Sequence, residues 1–280
     1  MKRIGFIDFY LDEWHANNYP RWIHEATNGE MEVAFAYGQI DSPLPGRRTT
    51  EDWCREMRIE RCKSIEELIE KSDCLMVLSP DNAEMHESLC QLPLRSGKPT
   101  YVDKTFAPDA DTAERIFAVA EASGTPCYTT SSLRFADSYQ AMVGKPIDAI
   151  ASWGPGNLDT YSIHQLEPLM MMMGAEAARV LYTPGKDWYN LLIEFTDGRK
   201  ATVTGFAGGS PFSMNLATPG GNKVLSVDAE PFWDHFTEVL VEFFRTGKEP
   251  VSHQETMAIM RVRSAAVEAS RRPGEWVCVR

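Results

Sequence analysis

No stretch of this chain approaches the roughly 20 consecutive apolar residues that a membrane helix requires, so no spanning segment is expected. The opening Met1-Lys2-Arg3-Ile4-Gly5-Phe6-Ile7 turns polar too soon to read as a secretory leader, and the expected location is the cytoplasm. The six cysteines (Cys54, Cys62, Cys74, Cys90, Cys127, Cys278) include no C-x-x-C pair and no histidine at zinc-finger spacing. Neither a disulfide framework nor a metal site is therefore expected. Positive charge is scarce: 28 Lys and Arg stand against 40 Asp and Glu, a net charge of −12. That balance opposes attraction to nucleic acid and to anionic membranes. Internal repeats and low-complexity linkers are also missing. A small-molecule partner is what these absences leave, with a homo-oligomer left open.

What is present is enough apolar material for two cores, 43% of 280 residues. In the first half, short β-rich runs alternate with helical patterns, which implies an α/β fold with a parallel sheet and crossover helices. Strands are expected at 3–9, 32–36, 74–78, 100–102 and 126–128. Helices are expected after Asp12, from Ser64 as N-cap to Lys71 with Glu67 at the capping-box position, over Asn82 to Ser96, and over Asp111 to Ser123, closed by Gly124. After about Ser131 strands follow one another without crossover helices, at 147–153, 179–182, 189–195 and 200–206, with Asp197-Gly198 as a hairpin turn. Helices over 161–173, 231–245 and 253–271 and a last strand over 275–279 complete the pattern. The expectation is a Rossmann-type, doubly wound dinucleotide-binding domain over residues 1–130. An α+β substrate and oligomerisation domain, its sheet mostly antiparallel, follows over residues 131–280 and forms a cleft against it.

Ligands of a doubly wound sheet bind outside the carboxyl ends of its strands, so the loops after Phe9, Ala36, Leu78 and Val102 carry the most information. Two of them read Leu78-Ser79-Pro80-Asp81-Asn82, with His86 four residues on, and Gly97-Lys98-Pro99-Thr100-Tyr101-Val102-Asp103-Lys104-Thr105-Phe106-Ala107. These resemble two signatures of the glucose-fructose oxidoreductase / inositol dehydrogenase (Gfo/Idh/MocA) family, T-P-x-x-x-H and G-K-x-V-x-x-E-K-P-L-A, with Asp103-Lys104-Thr105 in place of Glu-Lys-Pro. Leu133-Arg134-Phe135 is similar to the family's N-x-R-F, and Thr160-Tyr161-Ser162-Ile163-His164 to its D-x-G-x-H. The resemblance runs over essentially the whole chain. It implies an oxidoreductase that moves hydride between NAD or NADP and a sugar, polyol or similar hydroxylated molecule.

On that resemblance the cofactor is expected along Phe9, Tyr10, Ser79, Pro80, His86, Asp103 and Lys104. Lys104 ends a sheet strand, where an ammonium can hold a substrate hydroxyl and the nicotinamide ribose; an ordinary surface lysine is the plainer alternative. His164 opens a helix and can take a proton from a hydroxyl there, or it can be a satisfied structural histidine. His86 favours a structural hydrogen-bonding role. Arg134 either clamps substrate or pairs with Asp137 on the surface.

The family's G-x-G-x-x-G after the first strand is not present. Asp8 and Tyr10 stand where its first two glycines belong, and Asp12-Glu13 follow. A carboxylate about 4 Å from one phosphate charge costs roughly 4 kcal/mol at an effective dielectric near 20, whereas a helix N-terminus returns only about 0.3–2 kcal/mol. Unless Asp8 turns away or is neutralised, a dinucleotide should bind poorly in the usual pose. The aspartate expected four residues before His164 is Thr160, with Asp159 one place out of register and Tyr161 a candidate substitute. A non-catalytic ligand-binding or sensor descendant, or a lyase or isomerase that uses Lys104 and His164 without hydride, are the alternatives.

Overall fold

The alternation of the first half folds, in a computed structural model that describes residues 1–280, into six parallel strands in the order β3-β2-β1-β4-β5-β6. In chain order the elements are β1 (Lys2–Asp8), α1 (Trp14–Ala26), β2 (Met31–Gly38), α2 (Thr50–Met57), β3 (Glu60–Arg61) and α3 (Ile65–Lys71). They continue with β4 (Cys74–Val77), α4 (His86–Cys90), β5 (Thr100–Val102), α5 (Ala110–Ser123) and β6 (Cys127–Tyr128). The strand order reverses between β1 and β4, which makes that pair the switch point where such sheets bind ligands. Ile4, Phe6, Leu75, Met76, Val77 and Val102 are fully buried, as near-continuous apolar strands covered on both faces must be.

Capping fixed two helices where expected. The Ser64 side chain accepts from the Glu67 amide at 3.2 Å, and the Glu67 carboxylate reaches back to the Lys63 amide, one residue before the usual capping-box partner. Gly124 closes α5 in the left-handed region. The single helix expected over Asn82 to Ser96 is instead three pieces: a 3₁₀ turn Ala83–Met85, α4, and a 3₁₀ turn Pro93–Arg95. Pro93 has no amide to donate, so the α-helical ladder stops before it.

The second sheet has seven strands in the order β12-β11-β7-β10-β9-β8-β13, of which only β7 and β10 run parallel. The elements after β6 are, in chain order, α6 (Asp137–Gln140), β7 (Ala149–Pro155), α7 (Leu158–Met173), β8 (Ala177–Pro184), β9 (Trp188–Phe195), β10 (Lys200–Phe206), β11 (Ser213–Ala217), β12 (Lys223–Ser226), α8 (Phe232–Thr246), α9 (His253–Ser270) and β13 (Trp276–Cys278). Alternating side chains such as Leu191, Ile193 and Phe195 of β9, with Ala201 and Val203 of β10, enter a core shared with Leu166, Leu169 and Met173 of α7 and Val262 and Ala266 of α9. The Met170 to Met173 run thus fills core space, as expected of methionine.

The chain divides into two units, Met1–Thr129 with Phe236–His253, and Thr130–His235 with Gln254–Arg280. A single boundary near residue 130 was expected. The return of Phe236–His253 to the first unit follows from its aromatic side chains: Phe236 packs on Tyr19 and Tyr101, with ring centroids 5.9 and 5.7 Å apart, and Phe243 packs edge-on to Tyr128 at 4.7 Å. No helix is long and apolar enough to cross a membrane.

Candidate functional site

At the switch point of the first unit, β1 ends in Asp8 and β4 leads into Ser79. The Ser79 hydroxyl donates to Asp8 Oδ1 at 2.9 Å and accepts from the Phe9 amide at 2.9 Å, so the two strand ends are tied through one side chain. Ser79 holds a left-handed φ of 75° to do this. Asp8 is 1% exposed, and its Oδ2 has no partner. Burial pushes its pKa up to about 8, against the hydrogen bonds from Ser79, Tyr10 and Phe9. The repulsive carboxylate anticipated at this position is therefore a neutral acid at pH 7.

Beside this pair, β5 delivers Asp103 and Lys104. Lys104 is only 7% exposed, and its ammonium donates to the Pro80 carbonyl at 3.3 Å. A surface lysine is thereby excluded. Asp103 is fully buried; its Oδ1 accepts from the Lys104 amide at 2.8 Å and the Tyr101 hydroxyl at 3.1 Å, while Oδ2 bonds to His15 Nδ1. Burial would raise the Asp103 pKa, but the His15 imidazole and then Lys104 hold it below the usual carboxylate range. Asp103 therefore stays ionised and steadies His15. Tyr10 is buried, and its amide donates to Asp8 Oδ1 at 3.3 Å. Phe9 packs against it with ring centroids 6.0 Å apart.

His86 is fully buried, its Nδ1 3.0 Å from the Phe106 carbonyl and its Nε2 2.5 Å from that of Leu78. Burial lowers its pKa, although two facing carbonyls favour the doubly protonated ring. Both nitrogens are engaged by main chain, so His86 clasps the loops after β4 and β5 and has no nitrogen to offer a cofactor.

The head of α1 is where a dinucleotide's diphosphate would rest on free amides. Here the Glu13 carboxylate takes both of them, His15 N at 2.6 Å and Ala16 N, and is itself 6% exposed. Burial, then Asp8, push its pKa well above the usual range. Asp12, next to it, is bound by the Arg48 guanidinium at 2.5 Å and the Arg48 amide at 2.9 Å; although burial would raise its pKa, these hold it at about 2. With Phe9, Tyr10 and Leu11 filling the crossover where glycines would open it, the residues at β1 and α1 do not fit a diphosphate. Those at the ends of β4 and β5, a hydroxyl, a carbonyl and an ammonium, suit a hydroxylated ligand.

In the second unit, His164 sits on α7, a helix begun by Asn157 capping the Thr160 amide at 2.9 Å. Its Nδ1 and the Ser131 hydroxyl share a hydrogen bond of 2.7 Å. Pro168 has no N–H for the carbonyl four residues back, that of His164, so the helical ladder is interrupted there. One turn on, buried Glu167 accepts from Thr130 Oγ1 at 2.8 Å and from the Ser131 amide, which pins the segment carrying His164's partner. Asp159 does not replace the missing aspartate: its side chain is 72% exposed and its carbonyl accepts from Arg263 at 2.8 Å. Tyr161 is 41% exposed and meets the His164 ring edge-on at 5.4 Å.

The surface pairing expected for Arg134 does not form. The arginine is buried rather than superficial, and Asp137 lies 3.6 Å from His235 instead. Its guanidinium is held by Glu255 and lies 3.6 Å from Glu167, which braces α7 and α9, while its buried Nη1 has no hydrogen-bond partner. Sequence reasoning missed Glu13 as a cap, His15, Ser131 and Glu167. Glu is not among the favoured N-caps, and Ser131 and His164 are 33 residues apart with no motif between them.

No protein-family model and no curated protein sequence matches the chain. Solved structures do match in fold. Myo-inositol 2-dehydrogenase from Lactobacillus plantarum superimposes with a TM-score of 0.81 at 13% identity, over 100% of this chain and 99% of its own. Scyllo-inositol dehydrogenase from Lactobacillus casei, solved with bound NAD(H) and scyllo-inositol, gives 0.75 at 16% identity over 99% of each chain. A protein of gentamicin A biosynthesis in complex with NAD gives 0.81 at 13% identity, over 100% of this chain and 97% of its own. Such identities establish the fold: a six-stranded parallel sheet and a separate, mostly antiparallel one.

Proposed function

We propose that this chain is an oxidoreductase of Gfo/Idh/MocA descent that moves hydride between a nicotinamide cofactor, NAD or NADP, and a sugar, polyol or similar hydroxylated small molecule. The observation that carries the reading is Lys104, an ammonium 7% exposed at the carboxyl end of β5 with a main-chain carbonyl as its hydrogen-bond partner. A buried ammonium with donors to spare is costly unless a ligand oxygen completes its shell. Its assigned role is to hold the alcohol oxygen and stabilise the negative charge that develops there as the hydroxyl proton leaves. In the second unit His164, its ring fixed through Ser131, is a side chain able to accept a proton. Bound NAD and inositols in the matching structures support the reading; nothing among them supports a non-catalytic or hydride-independent descendant.

The test is a fluorescence titration with NADH and NADPH, followed by a screen of inositols and sugars for turnover. One reduced cofactor should bind at or below millimolar concentration, and at least one polyol should turn over. Lys104→Ala should reduce kcat by about 10²-fold or more with the melting temperature retained. Undiminished turnover in that variant, or no binding of either cofactor together with no polyol turnover, would remove the proposal.

A further inference from the structure

We propose that Glu13 is a built-in occupant of the anion position at the head of α1, so that this site recognises its nicotinamide ligand through the nicotinamide–ribose end and gains nothing from a diphosphate. The inference rests on the oxidoreductase reading for the ligand's identity, but its physical basis stands apart from it. Three observations converge. The amides of His15 and Ala16, at the second and third positions of a 13-residue helix, already bond to the two Glu13 oxygens. A phosphate oxygen needs those same donors. Glu13 is 6% exposed, so the carboxyl is enclosed by the crossover rather than lying on it, and an entering anion must evict it.

Nearby buried charge gives an evicting anion no compensation, and Arg47, which acts on Tyr10, is exposed and screened by water. Arg48 is engaged by Asp12, Asn17 and Glu56, and His15 by Asp103. Asp8 is a neutral acid whose unpartnered oxygen is buried, so it neither repels an anion nor replaces the two amides. The ends of β4 and β5 differ. Ser79, the Pro80 carbonyl and the Lys104 ammonium supply neutral and cationic groups suited to ribose hydroxyls. Glu13 is in this view a specificity determinant: it withholds from a dinucleotide the contribution that the amides of α1 would otherwise give.

The full chain is compared with Glu13→Gly, Glu13→Ser and Glu13→Gln by thermal shift with inorganic pyrophosphate and by titration with NADH and reduced nicotinamide mononucleotide. Gly and Ser are both tolerated at an N-cap, so either variant serves if the other fails to fold. In the wild type, pyrophosphate should leave the melting temperature unchanged, and NADH should bind within about threefold of the mononucleotide. In Glu13→Gly or Glu13→Ser, pyrophosphate should raise the melting temperature and the NADH Kd should fall by about tenfold or more, with the mononucleotide unchanged. Glu13→Gln, which keeps an oxygen on the amides, should behave as the wild type. Stabilisation of the wild type by pyrophosphate, or variants that gain neither pyrophosphate nor NADH affinity, overturns the inference. If pyrophosphate binding is gained while neither nicotinamide ligand binds any of the proteins, the inference stands and the oxidoreductase reading falls.

Discussion

Ser131 is the residue whose role is least visible in its own identity. Its hydroxyl bonds to His164 and also accepts from the Leu133 amide at 3.3 Å, so the side chain is immobilised by its own turn before it touches the imidazole. A ring held at one nitrogen has its rotation and tautomer chosen for it. The resemblance led us to expect an aspartate four residues before the histidine, and here a serine from a distant segment bonds to the ring instead. The difference is chemical, since serine orients the ring without lending it negative charge. Ser131→Ala should lower kcat by about tenfold with KM little altered. It should also shift the acidic limb of the kcat–pH profile, which loss of packing alone would not do, and Ser131→Thr should restore both. A wild-type profile in the alanine variant would show that the hydrogen bond is incidental.

At the scale of elements, α7 is held by an ion network rather than by propensity. Arg134 lies between Glu167 of α7 and Glu255 of α9, and burial raises the Glu167 pKa despite Arg134, the Ser131 amide and Thr130. Removing one partner of a buried pair leaves the other charge stranded, at a cost of about 3–5 kcal/mol, whereas replacing both with apolar groups is often neutral. Arg134→Met should therefore lower stability by roughly that amount, and the double variant Arg134→Met/Glu167→Leu should recover most of it in urea unfolding. Equal losses in both would mean that Glu255 is the only partner that matters. The same network shows where legibility ended. Elements with a cap or a clear period, such as α3, α5, β5 and β10, stood where the sequence placed them, because their signals are local. The short strand β12 has no buried position and forms because β11 pairs with it, whereas the Thr49 cap and the buried Thr50, Trp53 and Cys54 of α2 and the alternating Met214 and Leu216 of β11 are local signals that the sequence reading passed over. Lys104 was legible because its motif is contiguous; Arg134's partner Glu255 is 121 residues away, and no local pattern encodes it.

For the molecule as a whole, the buried titratable groups set how stability follows pH, and in the first unit Asp8, Glu13 and His253 act in the same direction. Asp8 releases its proton near pH 8 when folded and near 4 when unfolded, so the folded chain holds one extra proton between those values. His253 is half-buried, stacked on Phe117 at 3.9 Å; burial lowers its pKa, but Glu249, Glu121 and the Cys127 carbonyl lift it to about 9, above the unfolded value near 6.5. The stabilisation from His253 is thus complete below pH 6.5 and lost as pH rises through 9. The cost of ionising Asp8 is absent below pH 4 and grows until pH 8. Asp12 and Asp103 act oppositely, since their folded pKa values are depressed and their contribution disappears only in acid. Stability should therefore be greatest in mildly acidic solution and fall between pH 6.5 and 8 by up to about 1.4 kcal/mol per pH unit from Asp8, with a smaller share from His253, which water partly screens. Asp8→Asn should flatten that fall up to pH 8 and raise stability at pH 8 while leaving it unchanged near pH 4, and His253→Gln should destabilise at pH 6 but not at pH 10. Urea midpoints measured across this range check both slopes, and a wild-type midpoint constant from pH 6 to 9 would mean that neither group is held in the protonation state its surroundings impose.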